Sequence, residues 1–268
     1  MRAVRLLCNR ASHGELSPWA TDNKLARGES LRFYHHSNPA LRPFLAAALG
    51  DTLAKFHSSD AAQMVKRLPQ RAQHRVPTTL RDDLTSVTSK VDPSGISVRI
   101  REYPEYVALL RKASSLWSPD GLCHGDIRWD NILIKQTESD LELCIIDWEL
   151  AGGGDSAWDV AGVIQAYLVD WVNNLFDLDE LRDLVSRFCT AYLSRRGGPA
   201  KHPNFLRRVS EFAGCRLVQS TFEHHQFGTP LGESGLQLLQ LSWNVLRDPE
   251  ATERELLQIS NLFDGSYE

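Results

Sequence analysis

The chain has 268 residues, of which 42% are hydrophobic and 24% are charged, and its formal net charge is -4. This composition is typical of a globular protein with a sizeable core and excludes a chain dominated by disorder. The acidic balance argues against a nucleic-acid partner, which normally requires a basic excess gathered on one face.

The five cysteines are scattered, odd in number and without a C-x-x-C pair. This usage is typical of reduced thiols and predicts neither a disulfide framework nor a zinc site. The opening sequence MRAVRLLCNR has too short an apolar run for a signal peptide, and no apolar run is long enough to cross a membrane. We therefore expect a cytoplasmic protein with no membrane partner.

The N-terminal half is predicted to be mainly helical. From Pro39 onward, apolar residues recur at steps of three and four, the pattern of a helix packed on a core. His57 follows that helix and is predicted to pack or to cap it. Residues 58–100 are polar and contain three prolines, so they predict a partly irregular insertion with a short helix over 80–87. A further helix is predicted over 103–116.

A β-hairpin is predicted next, because two apolar runs, 131–135 and 141–146, flank five turn-like residues. Polar side chains stand at its ends, with Asp126 and Asn131 before the first strand and Asp147 after the second. Phosphoryl transfer from a nucleotide needs a carboxylate that orients the attacking hydroxyl and two oxygen ligands that hold magnesium. We expect these three side chains to lie within reach of one another and to supply those groups.

Helices are predicted for the remainder of the chain. The segment 151–154 contains three glycines and is interpreted as a flexible joint. Asp155 is placed to cap a helix over 156–176, and Asp177 with Glu180 resembles a capping box at the start of the next helix. Further helices are predicted over 203–226, 234–246 and 250–263.

Three strings resemble a known family. The sequence H-G-D-x-x-x-x-N from His124 to Asn131, followed by I-D-W-E at 146–149, is similar to the catalytic and metal-binding loops of the aminoglycoside phosphotransferase and choline kinase-like branch of the protein-kinase fold. The string G-D-S-A-W-D-V-A at 154–161 is also typical of that family. The order of the three strings makes the resemblance specific.

The resemblance implies an α+β, protein-kinase-like fold. Its large lobe would be mostly helical, with a small catalytic-loop β-hairpin and a reduced N-terminal lobe. On this basis we expect residues 1–40 to be a remnant of the N-terminal lobe and the hinge, and residues 41–268 to be the C-terminal lobe.

The resemblance also implies an activity, the transfer of the γ-phosphoryl group of ATP to a hydroxyl with the help of Mg2+. Asp126 would be the catalytic residue, and Asn131 and Asp147 would bind the metal and, through it, the nucleotide. The acceptor hydroxyl would belong to a small molecule or to a peptide Ser or Thr.

Supporting roles follow from the same resemblance. His124 would brace the catalytic loop, and Asp159 would steady it. Arg128, two positions past the catalytic aspartate, is a candidate contact to phosphate or to an acidic substrate, whereas Trp129 is either a packing or a functional residue. The family binds its acceptor between the catalytic loop and C-terminal helices, and four polar residues there are candidates for contacting it. Their presence is explained equally well if they simply lie on solvent-exposed helix faces. Those candidates are Asp170, Glu223, His224 and His225.

The N-terminal region departs from the family pattern. Related enzymes carry a strand lysine for the phosphates and often a Gly-rich loop that covers them. Here Lys24 is the only lysine before Lys55, it lies in a polar run, and no G-x-G-x-x-G string occurs. Two explanations stay open: the chain is a shortened phosphotransferase, or a protein partner completes its nucleotide site.

Two further hypotheses concern partners. The strings at 159–168 and 215–223 resemble kinase-like proteins that act with a separate lyase in building lanthipeptides or thioamide-bearing peptides, which implies a peptide acceptor and a lyase partner. The alternative from another class is a catalytically silent scaffold that binds a peptide or a partner enzyme. The missing lysine favours the scaffold, whereas Asp126, Asn131 and Asp147 favour the enzyme.

Overall fold

The structure, a computed structural model, describes residues 28–57, 65–73, 75–81, 95–136, 141–196, 204–225 and 231–263. This part of the chain is mostly helical with two small antiparallel sheets, so the predicted α+β class is confirmed. The strands are β1 (Glu29–Ser30), β2 (Gly121–Cys123), β3 (Ile132–Gln136), β4 (Leu141–Ile145) and β5 (Gly152–Gly154).

The long helices agree with the apolar periodicity of the sequence, but the helix predicted over 250–263 is wrong: a three-residue α-helix is followed there by a π-helical turn, Thr252–Leu256, and a 3-10 turn, Ser260–Phe263. The α-helices are α1 (Leu31–Ser37), α2 (Arg42–Phe56), α3 (Gln70–Gln73), α4 (Thr78–Arg81), α5 (Ile96–Arg101), α6 (Pro104–Ser115), α7 (Ser156–Val172), α8 (Leu178–Arg196), α9 (Phe205–His225), α10 (Glu233–Arg247) and α11 (Pro249–Ala251). Helices α1 and α5 were not predicted. None of the described helices combines the length and the apolar character needed to cross a membrane.

Helix α7 is the centre of the helical core. Every residue from Ser156 to Asp170 is buried, as expected for a helix covered on all sides. Helix α9 packs against α7 and against α10, while α2 packs along α8. The side of α7 that faces the strands carries the groups that hold the candidate active site.

The predicted hairpin is confirmed as the antiparallel pair β3 and β4. Ile132 lies opposite Ile145, and Gln136 lies opposite Leu141. Alternate residues of both strands, such as Ile134 and Leu143, are buried in the core, which is the period-two pattern of a half-buried sheet. Strand β1 pairs with the other edge of β3. The hairpin therefore brings the start of β3 and the end of β4, where the polar residues were predicted, to one end of the sheet.

The predicted flexible joint is wrong. Residues Gly152–Gly154 form strand β5, which is buried and pairs antiparallel with β2. The backbone of the insertion lies directly on this strand, because the N–H of Arg75 donates to the carbonyl of Gly153 at 2.9 Å. A Cβ on Gly152 would lie 2.6 Å from the carbonyl oxygen of Ala72. The glycines thus permit a close backbone approach rather than motion.

Helix caps explain where two of the helices begin. The side chain of Asp155 accepts from the N–H of Ala157 at 3.0 Å and caps α7, as predicted. Asp177 likewise accepts from the N–H of Glu180 at 2.9 Å. In a capping box the Glu180 carboxylate would in turn accept the N–H of Asp177. Here this carboxylate instead accepts from Arg42 at 2.8 Å.

Some predictions fall on undescribed residues. Of the short helix predicted over 80–87, the structure describes only the residues up to Arg81, where α4 ends. Lys24 lies outside the described residues, as does most of the segment 1–40. The division into a reduced N-terminal lobe and a C-terminal lobe therefore stays a prediction.

The close approach at β5 gives a testable prediction. A Cβ on Gly153 would overlap the carbonyl oxygen of Gln73, which is backbone and has no room to yield, whereas a Cβ on Gly121, in the paired strand β2, would meet nothing within 4 Å. We expect Gly153→Ala to lower the free energy of unfolding in urea by about 1 to 3 kcal/mol. Gly121→Ala is the matched control and should change it by less than about 0.5 kcal/mol. Equal effects of the two substitutions would contradict this explanation.

Candidate active site

The candidate site is built on the segment 124–131, which joins β2 to β3 and which we call the HGD loop. The loop turns at Gly125, whose φ is 85°. A Cβ at this position would lie 2.7 Å from the carbonyl oxygen of Leu150. A left-handed backbone in such a narrow space requires glycine.

The carboxylate of Asp159, on α7, holds the start of the HGD loop. It accepts the backbone N–H of His124 at 2.7 Å and that of Gly125 at 2.9 Å, and a third hydrogen bond joins it to His57 Nε2 at 3.1 Å. The side chain is 0% exposed. Burial acts to raise the pKa of Asp159, but the hydrogen bond and charge of His57 and the bond from His124 outweigh it, and the pKa lies below its ordinary value.

His124 ties the HGD loop to the end of the hairpin. Its Nε2 contacts the carbonyl oxygen of Ile146 at 2.8 Å, and its Nδ1 accepts the N–H of Asp126 at 3.3 Å. Because Nδ1 accepts, these partners assign the donor role to Nε2. The ring therefore connects the residue before Asp147 with the residue predicted to be catalytic.

The three residues of the predicted phosphoryl-transfer site lie close together. The amide nitrogen of Asn131 donates to the backbone carbonyl of Asp126 at 2.9 Å and to its carboxylate at 3.0 Å. The N–H of Ile146 donates to the carbonyl of Asn131 at 2.9 Å, which brings the next residue, Asp147, to the same end of the hairpin. Asp147 has a left-handed backbone, with φ 63°.

The donor atoms suit a magnesium ion. Since the amide nitrogen of Asn131 is used by Asp126, its amide oxygen is the atom left to bind a cation. With the carboxylate of Asp147, it provides the hard oxygen donors that Mg2+ prefers.

Two arginines flank the carboxylate of Asp126. The predicted candidate Arg128 places its Nε 3.8 Å from Oδ2 and donates to Glu223 at 3.1 Å. Arg216, on α9, places a guanidinium nitrogen 3.9 Å from Oδ1. Sequence reasoning missed Arg216. The signal that could have indicated a buried position is that Phe212 and Ala213, four and three positions before it on the same helix face, are apolar.

Trp129 is a packing residue with one polar contact. It is buried, and its indole N–H donates to the carboxylate of Asp170 at 2.8 Å. Asp170, also on α7, is only 5% exposed. His35 packs edge-on against the indole, with ring centroids 4.7 Å apart. Trp129 thereby sets the position of a carboxylate that sequence analysis placed among the acceptor candidates.

A cleft of about 230 Å3 lies beside the HGD loop, and three of the four acceptor candidates line it. The charged and polar lining residues are Arg32, Arg128, Asp130, Gln165, Asp170, Ser220, Glu223 and His224. Arg32 and Asp130 form a two-point ion pair at 2.9 and 3.0 Å at its rim. The fourth candidate, His225, lies instead next to Gly235 of α10, where a Cβ would be 2.9 Å from its Nε2.

Comparison with known proteins identifies the family of this chain. The model of the phosphotransferase enzyme family matches residues 4–202. Acyl-CoA dehydrogenase family member 11 from Gallus gallus is 28% identical over 193 residues, which are 70% of this chain and 22% of that protein. The chain thus spans about a fifth of the length of this relative. The chain belongs to the phosphotransferase enzyme family.

Solved structures of kinases are also similar. An ethanolamine kinase from Plasmodium vivax aligns with 81% of this chain and 63% of its own chain, at 18% identity and a TM-score of 0.47. A choline/ethanolamine kinase family protein from Mesorhizobium loti aligns with 87% of this chain and 71% of its own, at 18% identity and a TM-score of 0.48.

Asp159→Asn tests the anchor of the HGD loop. Asparagine has one acceptor oxygen and presents an NH2 group where the carboxylate accepts an N–H. We therefore expect the free energy of unfolding in urea to fall by about 2 to 4 kcal/mol at pH 7. Asp183→Asn is the control, because it removes an exposed ion pair with Arg187 and should change stability by less than about 0.5 kcal/mol.

The pKa of Asp159 adds a pH dependence. Because the folded-state pKa lies below the ordinary value, the stabilisation is present above the pKa of the unfolded carboxyl and is lost as the pH falls through the folded value. The difference in stability between wild type and Asp159→Asn should therefore shrink below about pH 4. A difference that grows on acidification would contradict the assignment.

Proposed function

We propose that this chain is a phosphotransferase that moves the γ-phosphoryl group of ATP to the hydroxyl of a small molecule. The observation that carries the proposal is the meeting of Asp126, Asn131 and Asp147 at one end of the β3–β4 hairpin. Membership of the phosphotransferase enzyme family supports the reaction type.

Asp126 is the proposed catalytic residue. Its Oδ2 accepts the hydrogen bond from Asn131, so Oδ1 is the oxygen that would accept the proton of the attacking hydroxyl. The carboxylate is held at the backbone as well, since Asn131 also bonds the carbonyl of Asp126. A base fixed in this way contributes to the rate by orienting the nucleophile and accepting its proton.

Asn131 and Asp147 are the proposed ligands of Mg2+. When bound, the ion would neutralise the charge of the ATP phosphates. The amide oxygen of Asn131 and the carboxylate of Asp147 would hold it, and His124 would keep their two segments at a fixed separation through Ile146. Arg128, beside the base and half-exposed, is the proposed contact to the transferred phosphoryl group.

The cleft beside the HGD loop is the proposed acceptor site. Two of its carboxylates are paired with arginines, Asp130 with Arg32 and Glu223 with Arg128. Asp170 takes a hydrogen bond from a neutral indole instead. Its other close partner is His35, whose Nδ1 lies 3.7 Å from the carboxylate and whose pKa is lowered by burial. A buried carboxylate favours a cationic partner, so we propose an acceptor that carries an amine as well as a hydroxyl. A volume of about 230 Å3 suits a small molecule better than a peptide segment.

Calorimetry with ATP, with and without Mg2+, tests the proposal. We expect Mg2+-dependent binding, with Asp147→Asn weakening it by about tenfold or more through loss of a charged ligand. Asp126→Asn should leave ATP binding nearly unchanged but lower kcat by about 10^2- to 10^4-fold. Asp183→Asn is the control on a distant carboxylate. Absence of Mg2+-dependent binding would favour a silent scaffold or a partner that completes the site.

A screen of hydroxyl acceptors tests the cleft. Among small alcohols of similar size, those with an amine should be the better substrates, and Asp170→Asn should raise their KM by about tenfold or more. ATP binding should not change, because Asp170 lies in the acceptor cleft. Preference for a Ser or Thr peptide, or an unchanged KM in the variant, would contradict this acceptor assignment.

A further inference from the structure

Arg216 is a cation buried directly beneath the HGD loop. Its side chain, on α9, is only 4% exposed. One guanidinium nitrogen donates to the carbonyl of Ile127, the residue after Asp126, at 2.8 Å. The guanidinium lies over the ring of Trp158 at 5.1 Å. It therefore contacts the loop from the side opposite to solvent.

The burial of this cation is incompletely compensated by hydrogen bonds. Within the described part of the chain, Nε and a second guanidinium nitrogen of Arg216 are buried without a partner. Burial lowers the pKa of Arg216, although arginine remains protonated in proteins. A buried cation of this kind is costly unless an anion stands nearby.

The anion nearest to this guanidinium in the active site is Asp126. The separation of 3.9 Å from Oδ1 is too long for a hydrogen bond but short for two opposite charges in a buried setting. Glu223 and Asp159 also attract Arg216, while Arg128 repels it. Asp159 is committed to three hydrogen bonds and Glu223 to Arg128. Asp126 meets Asn131 and Arg128 through Oδ2, whereas its Oδ1 lies towards Arg216, so this carboxylate is the one that balances the buried charge.

Helix α7 leaves room for this arrangement. A Cβ on Gly162 would lie 3.1 Å from the guanidinium carbon of Arg216 and 2.6 Å from the carbonyl oxygen of Ile127. The Arg216 guanidinium and the Ile127 carbonyl, which are joined by the hydrogen bond, thus occupy the space that a side chain at 162 would need. A neutral side chain at 216 would pack in the same space without the cost of a buried charge.

We propose that Arg216 is a positioning residue for the proposed phosphoryl transfer: its buried charge holds the carboxylate of Asp126 from beneath the loop. The catalytic role of Arg216 in this inference rests on the proposed function. The charge coupling between the two side chains, however, is measurable without any turnover.

A double-mutant cycle on the full chain measures that coupling. Urea unfolding of wild type, Asp126→Asn, Arg216→Met and the double variant gives the effect of Asp126→Asn on the unfolding equilibrium constant in both backgrounds. We expect the effect to differ by about tenfold, because Asp126→Asn leaves a buried cation unbalanced only when Arg216 is present. A difference below about threefold would overturn the inference.

Arg208→Met is the matched control, since Arg208 is a buried arginine of the same helix that pairs with Asp155 at 2.8 Å. The effect of Asp126→Asn on the unfolding equilibrium constant should be the same, within about twofold, with and without Arg208→Met. If Arg216→Met does not fold, the cycle is run with Arg216→Gln. Because Arg216→Lys keeps the charge, it should restore more than half of the coupling on a logarithmic scale; no restoration would overturn a role for charge.

Turnover supplies the second measurement. If wild type hydrolyses or transfers the γ-phosphoryl group of Mg-ATP, Arg216→Met should lower kcat by about tenfold or more and leave the KM for ATP within threefold, and Arg216→Lys should recover most of the loss. An unchanged kcat in Arg216→Met would overturn the inference. No turnover by wild type would count against the proposed function alone, because the cycle decides the coupling independently.

Discussion

The buried carboxylate of Asp159 is the constraint on which the candidate site depends. It accepts the N–H groups of His124 and Gly125, which begin the HGD loop, and it contacts His57 of the helical core. Backbone N–H groups in a buried turn need partners, and here one side chain supplies two of them. The loop can therefore hold a left-handed glycine in a narrow space without leaving polar groups unpaired. The direction of the next residue, Asp126, follows from that turn.

Helix α7 supplies most of the groups that position the candidate site. Along α7, Trp158 donates to the carbonyl of Gly125 at 3.0 Å, Asp159 holds the loop, Gly162 admits the Ile127 carbonyl, and Asp170 lies in the cleft. Residues four apart on a helix share a face, so 158 and 162 meet the same loop. A continuous buried helix thus sets the spacing between the proposed base and the proposed acceptor site. The helix is stabilised mainly by packing on every side, since all its residues from Ser156 to Asp170 are buried.

Local patterns predicted much of this structure. The alternation in β3 and β4, the capping Asp155 and the order of His124, Asp126, Asn131 and Asp147 are encoded within short segments, and the structure places them as expected. Arg216 was missed because its role depends on a loop nearly ninety positions away in the chain, which no periodicity in α9 reveals. The glycines of β5 were misread for the same reason. Glycine permits both motion and close contact, and only the distant backbone of the insertion decides between them.

The contact between that insertion and β5 has an evolutionary consequence. Arg75 donates from its side chain to the carbonyl of Glu149 at 2.7 Å and from its backbone to Gly153, so the insertion covers the residues that follow Asp147. Any side chain at 152 or 153 would collide with backbone of this insertion. The backbone carbonyls of Ala72 and Gln73 therefore limit the size of the residues at 152 and 153. Relatives in which residues equivalent to 72–75 are deleted are free to accept larger residues in the strand, whereas those that keep the insertion should retain glycine there.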